Sequence, residues 1–211
     1  MQPNKTKLAL QIGAVVLGAV CASSVSADSF NLTVNTIQDV QIDTVQALDF
    51  GENITTDASQ SCVMDADVPA DADVFSDGGG AATTFGVITG AACIGSGTTV
   101  AQPGIYSIQG EAGLDVTLTL STEAQAGGDY TFSPGEGCGV DHDGASGGDT
   151  CGAITVGSPI TLTLADTTAG DDGPTVDGFT HFTVGGTLAI GATGLTSDTD
   201  YNATFLVNVV Y

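Results

Sequence analysis

The residues best equipped for chemistry lie between two cysteines. Asp141-His142-Asp143-Gly144 and Asp149 fall inside the interval from Cys138 to Cys151. Close-set carboxylates around flexible glycine are hard oxygen ligands, the kind calcium takes. Asp141, Asp143 and Asp149 are therefore the candidate calcium ligands. A second acidic series, Asp65, Asp67, Asp71, Asp73 and Asp77, has the same character. Neither completes a twelve-residue calcium loop, because the glutamate required at its last position is missing. The rival reading is acidic solvation, in which uncompensated charge keeps a surface protein soluble in a saline habitat.

Nucleophilic catalysis has a thinner basis. Gly144-Ala145-Ser146-Gly147-Gly148 fits the G-x-S-x-G string, with His142 close by. A nucleophile elbow needs a strand before the serine and a helix after it, whereas the flanks here are aspartate and glycine. A flexible turn is the better reading. His181 alternates with Phe179 and Thr183, as a histidine packed on an ordinary strand would. Carboxylate pairs for glycoside hydrolysis are on offer in any Asp-rich chain, and there is no Trp to stack a sugar. The expectation is a protein with no catalytic residue, which is to say not an enzyme, and with no cofactor beyond the calcium already considered.

Charge narrows the partners. The 211 residues hold 2 Lys+Arg against 25 Asp+Glu, a formal net charge of −23. Both cations, Lys5 and Lys7, precede the first acidic residue, Asp28. Nucleic acid needs Lys and Arg to neutralise its phosphates, so that partner is excluded. An anionic membrane surface would repel the protein. From Asp28 onward no Lys–carboxylate or Arg–carboxylate ion pair can form, and no lysine is available for catalysis or for isopeptide bonds. His142 and His181 are the only side chains left to carry positive charge, and only at mildly acidic pH.

Residues 1–27 read as a secretory signal. Lys5 and Lys7 give the positive start, Leu8 to Val20 the apolar core, and Val25-Ser26-Ala27 a small-residue cleavage site before Asp28. The apolar run is short for a membrane anchor. Cys21 follows Val20, where lipidation would want a small residue. Cleavage between Ala27 and Asp28 leaves 28–211 as a single domain, placed in the periplasm, at the cell surface or outside the cell. That domain holds Cys62, Cys93, Cys138 and Cys151, and four cysteines in an exported chain imply two disulfides with three connectivities open. Neighbour pairing, Cys62–Cys93 and Cys138–Cys151, is the expected one, since the second pair brackets a Gly/Asp-rich loop that could hardly hold a shape otherwise. No C-x-x-C pair supports zinc.

The elements that would position these residues are strands. Thirty glycines, four glutamates and abundant Thr and Val leave few helix formers. Apolar residues alternate at Phe30, Leu32 and Val34, and again at Val40, Ile42, Leu48 and Phe50 up to Gly51. Further strands are expected at Thr84–Thr89, Gly104–Gln109, Leu114–Leu120, around Ile160, Leu162 and Leu164, and from Phe182 to Ile190. The clearest alternation is Tyr201, Ala203, Phe205, Val207, Val209 and Tyr211. Long polar connections are expected at Asp65–Gly80, Ser133–Gly152 and Asp166–Gly178. The pattern predicts an all-β, immunoglobulin-like sandwich of about eight to ten strands with long acidic loops.

The stretch Phe182-Thr183-Val184-Gly185-Gly186-Thr187-Leu188, followed after a spacer by Tyr201 to Tyr211, resembles the bacterial family catalogued as domain of unknown function 4402. Leu48-Asp49-Phe50-Gly51 and Gly104–Leu120 fit the same layout. The resemblance implies an exported β-sandwich and does not imply a catalytic activity. The cysteine-bearing acidic insertions depart from the usual member. A looser likeness is to fimbrial subunits of the chaperone–usher kind, which share a final alternating apolar strand; here Tyr211, not the residue before it, is the last aromatic. That pilin-like aspect implies a structural or fibre-type role, with self-association by strand exchange; the terminal strand of a self-contained surface or periplasmic sandwich would read the same. The alternative function is a calcium-dependent, adhesin-like module for a surface glycan or protein.

Overall fold

A computed structural model of the chain describes residues 39–67, 85–99, 101–123, 129–135, 137–141, 150–165 and 178–211. Every regular element among them is a strand: β1 (Gln41–Gln46), β2 (Ser61–Met64), β3 (Val87–Thr89), β4 (Thr98–Thr99), β5 (Gly104–Gln109), β6 (Asp115–Thr122), β7 (Tyr130–Gly135), β8 (Cys138–Asp141), β9 (Thr150–Ala153), β10 (Ile160–Thr163), β11 (Phe179–Ile190) and β12 (Phe205–Val210). The all-β expectation holds, with twelve strands in place of eight to ten. The expected strand Phe30–Val34 lies outside the described residues, as do the calcium candidates Asp143 and Asp149 and the whole G-x-S-x-G string. Asp141 closes β8.

The strands form two antiparallel sheets. The larger runs β1-β5-β11-β2-β3-β4, with β7 and β8 also paired to β11 and β9 paired to β8; the smaller is β10-β6-β12. Strand β11 is the axis of the larger sheet. Its first half, Phe179 to Val184, pairs with β5; its second half pairs with β2 and β7. The change of partner falls at Gly185-Gly186. A Cβ on Gly185 would collide with the Met64 carbonyl, and one on Gly186 with the Ser133 carbonyl, so only glycine lets both neighbours approach this closely.

Alternation along β6 builds the core between the sheets. Val116, Leu118 and Leu120 point inward and meet Ile108, Leu162, Leu164, Phe182 and Val184, all buried. A second cluster gathers Phe50, Met64, Ile88, Phe132 and Ile190 around Cys62 and Cys93. Phe205 touches both regions, edge-on to Tyr106 at 6.0 Å and tilted against Phe132 at 6.1 Å. Both neighbour disulfides form: Cys62–Cys93 with Cα atoms 5.0 Å apart and Cys138–Cys151 at 5.4 Å.

Two expectations about elements change. Within the polar connection Ser133–Gly152 the described residues are largely strand: Cys138 to Asp141 pairs with Thr150 to Ala153, and also with β11 at His181 and Phe182. The alternation from Tyr201 enters regular pairing only at Phe205. Tyr201 instead makes a corner: its hydroxyl accepts the Thr196 backbone N–H at 2.7 Å, and its ring stands edge-on to Tyr130. A tyrosine tied back to main chain a few residues upstream is a recurrent corner device of sandwiches.

Candidate functional site

The polar groups inside the sandwich serve the backbone. Thr180 donates its hydroxyl to the Val140 carbonyl at 2.5 Å, tying β11 to β8. Thr183 donates to the Ala66 carbonyl at 2.6 Å and accepts the Cys138 N–H at 3.0 Å. Both hydroxyls are fully buried and committed to main-chain partners. His181 sits mid-strand on β11, opposite Ser107 on one side and Val140 on the other. Its expected place on a strand is met.

The carboxylates described are dispersed over strand ends and turns. At Asp65-Ala66-Asp67 the Asp67 N–H donates to the Asp65 carboxylate at 2.8 Å. Partial burial, and then the neighbouring charge of Asp65, raise the Asp67 carboxyl above its ordinary value. Among the described residues no three Asp, Glu, His or Cys side chains converge on a common point. The candidate set Asp141, Asp143 and Asp149 is not brought together within the described residues, since two of its members fall outside them.

The feature of most functional interest is a flank of the sandwich. Among the described residues strand β12 pairs only with β6, from Phe205↔Thr122 to Val210↔Thr117, and so lies at one side of the smaller sheet. Its core-facing residues Phe205, Val207 and Val209 pack on the main core cluster yet stay only half-buried. Between them Leu206 and Val210 face outward, 54% and 47% exposed. The opposite edge of the same sheet is different: on β10 the core-facing Leu162 is 3% exposed.

In the larger sheet, the edge strand β1 repeats the pattern. Ile42 stands directly across from Ile108, which is wholly buried, but is itself 39% exposed. Val40 and Leu48, on either side of β1, pack against the same core cluster as Val207 and Val209. Tyr106, the β5 partner of Thr44, stacks on Phe182 at 5.1 Å and meets Phe205. Burial pushes its hydroxyl above the ordinary phenol value, against the opposing effect of a backbone hydrogen bond at Leu48, so it stays neutral at physiological pH. The two strands therefore present partly exposed apolar side chains, with no charged group on β12.

No known protein family, curated protein or solved structure matches the chain. The signal that sequence reasoning lacked is the exposure of Ile42, Leu206 and Val210. Alternation at Phe205, Val207 and Val209 reads the same on a covered strand as on an exposed edge.

Proposed function

We propose that this is an exported, non-enzymatic structural protein of the cell surface or periplasm, in its specific form a fibre-type subunit. The flank formed by β1 and β12 supports this reading: its apolar side chains stay partly exposed, and among the described residues β12 pairs only with β6. Two disulfides fit an oxidising compartment. Among the described residues no helix is long and apolar enough to cross a membrane.

The test is direct. Native protein sheared from cells is expected in the released fraction, as filaments or large assemblies visible by electron microscopy. Its mass is expected to begin at Asp28, and a chain starting there has no Lys or Arg, so it survives trypsin intact even when reduced and unfolded. A chain found only in the cytosol, still carrying Lys5 and Lys7, would end the proposal.

A further inference from the structure

We propose that Asn202 is an acceptor for an N-linked oligosaccharide, presented on the corner that leads into β12. The proposal rests on reading the chain as exported, and adds a modification which that reading does not require.

From Asp28 onward the sequence holds three Asn-x-Ser/Thr triplets: Asn31-Leu32-Thr33, Asn53-Ile54-Thr55 and Asn202-Ala203-Thr204. Such a triplet on the surface of a secreted protein is the minimal acceptor for N-glycosylation. The first lies outside the described residues. The structure separates the other two. Asn53 is half-buried, and its Nδ2 donates to the Phe50 carbonyl at 2.8 Å. The Thr55 hydroxyl, which a glycosylating enzyme must read, is buried. Transfer to Asn53 of the folded chain would have to undo both.

Asn202 is the opposite case. Asp200, Asn202, Ala203 and Thr204 are all exposed, in a stretch without regular secondary structure that ends at Phe205. Main chain and aromatic rings hold this stretch. The Tyr130 hydroxyl donates to the Asn202 carbonyl. Tyr201 is fixed by the Thr196 N–H at 2.7 Å and by the Tyr130 ring, edge-on at 5.4 Å. None of these contacts uses the Asn202 side chain, so a sugar on it leaves the corner intact.

Charge is the second, independent observation. Asp200 stands two residues ahead of Asn202 and completes Asp-x-Asn-x-Thr. An acid at that place is what bacterial oligosaccharyltransferases read in addition to the triplet, through a charge-assisted contact with a cation of their own. The corresponding residues are Ser29 ahead of Asn31 and Gly51 ahead of Asn53. Exposure and charge thus select the same asparagine.

The step is a substitution at the sugar, carried out by a transferase from outside the chain. The Asn202 Nδ2 bonds to the anomeric carbon of a polyprenyl-pyrophosphate-linked oligosaccharide. The bond from that carbon to the pyrophosphate oxygen breaks, and polyprenyl pyrophosphate leaves with the electron pair. The amide proton passes to a base of the transferase, and nothing is oxidised or reduced.

Mass spectrometry of the native protein, purified from its own host, reads this directly. Glu136 is the last glutamate, so glutamate-specific cleavage of the reduced chain releases residues 137–211 as one fragment. That fragment is expected to carry the added mass of an oligosaccharide, placed on Asn202 by fragmentation. Asn202→Gln and Asp200→Asn should each remove the added mass. Thr204→Ser should keep it, and Asn53→Gln should leave it unchanged. A chain that begins at Asp28 but yields an unmodified 137–211 fragment would overturn the proposal and leave export standing. A chain that retains its first 27 residues would overturn both. Sugar kept in Asp200→Asn, or found on Asn53 in place of Asn202, would also refute the assignment.

Discussion

At the residue scale the fold depends on where a side chain is forbidden as much as on where one is packed. Gly185 has ordinary backbone angles, yet its position is closed because the Met64 carbonyl and the Ala66 methyl occupy the space a Cβ would need. Gly185→Ala should force β2 away from β11 and lower stability by roughly 1–3 kcal/mol, the usual cost of overpacking. Gly152→Ala in β9 is the control: its Cβ would meet only the Gly139 carbonyl, at 3.7 Å, and chemical denaturation should show little change. Asp67 offers a second residue-level test. Its carboxyl is raised by burial and by Asp65, so the folded state favours the protonated form. That contribution is full at pH below the unfolded value near 3.8 and is lost as pH rises through the higher folded value. Asp67→Asn should therefore raise the melting temperature at pH 7 and flatten its dependence on pH just above 4. An unchanged pH profile would show that the burial has no energetic effect. None of this was legible from residue types: glycine density between Ser133 and Gly152 signalled loop, whereas Gly137 admits the close approach of Thr183 and Gly139 that of Leu162 and Ile160.

Elements were legible in proportion to their length and their regularity. Gly104–Gln109 and the Leu114–Leu120 alternation appear as β5 and β6, and the Ile160 and Leu162 pair as β10, because each presents one clean face to the core. The short strands were invisible: β2, β8 and β9 are four residues each and include cysteine or glycine in place of a β-branched run. Tertiary pairing and disulfides hold them. The neighbour connectivity was readable from spacing, yet its consequence was not, since Cys138–Cys151 staples a strand pair docked on β11 and does not merely close a loop. Replacing both members of either pair with alanine should cost about 2–5 kcal/mol. The two losses should differ in kind. Without Cys62–Cys93 the second core cluster loses two of its buried members, and unfolding should stay cooperative at lower denaturant. Without Cys138–Cys151 the β8–β9 pairing should open first, seen as early exchange of the amides at positions 140 and 151 while β5 and β6 remain protected. Simultaneous exchange of all these amides would mean the strand pair is no separate unit.

For the whole molecule, the dominant unbalanced force is charge. A formal −23 with no Lys or Arg after residue 7 leaves the carboxylates without side-chain counter-ions, so folding concentrates like charge. Monovalent salt should raise the melting temperature steeply from millimolar levels and then level off near physiological strength, where the screening length falls to about 8 Å. Calcium separates a built site from a merely acidic surface. If Asp141, Asp143 and Asp149 join as ligands, calcium at constant ionic strength should stabilise further, by RT ln(1 + [L]/Kd), or about 2.7 kcal/mol at a hundredfold excess over Kd. Magnesium, smaller and reluctant to shed water, should do far less. Asp143→Asn should then abolish the calcium increment while leaving the response to sodium chloride intact. If calcium and magnesium act equally, or if Asp143→Asn alters nothing, the acidic stretches are a screened surface, and the adhesin-like alternative loses its ion. The flank formed by β1 and β12 contains no carboxylate on β12, so the calcium response should be the same whether or not that flank is covered in an assembly. That independence lets the calcium and assembly tests be read separately on one preparation.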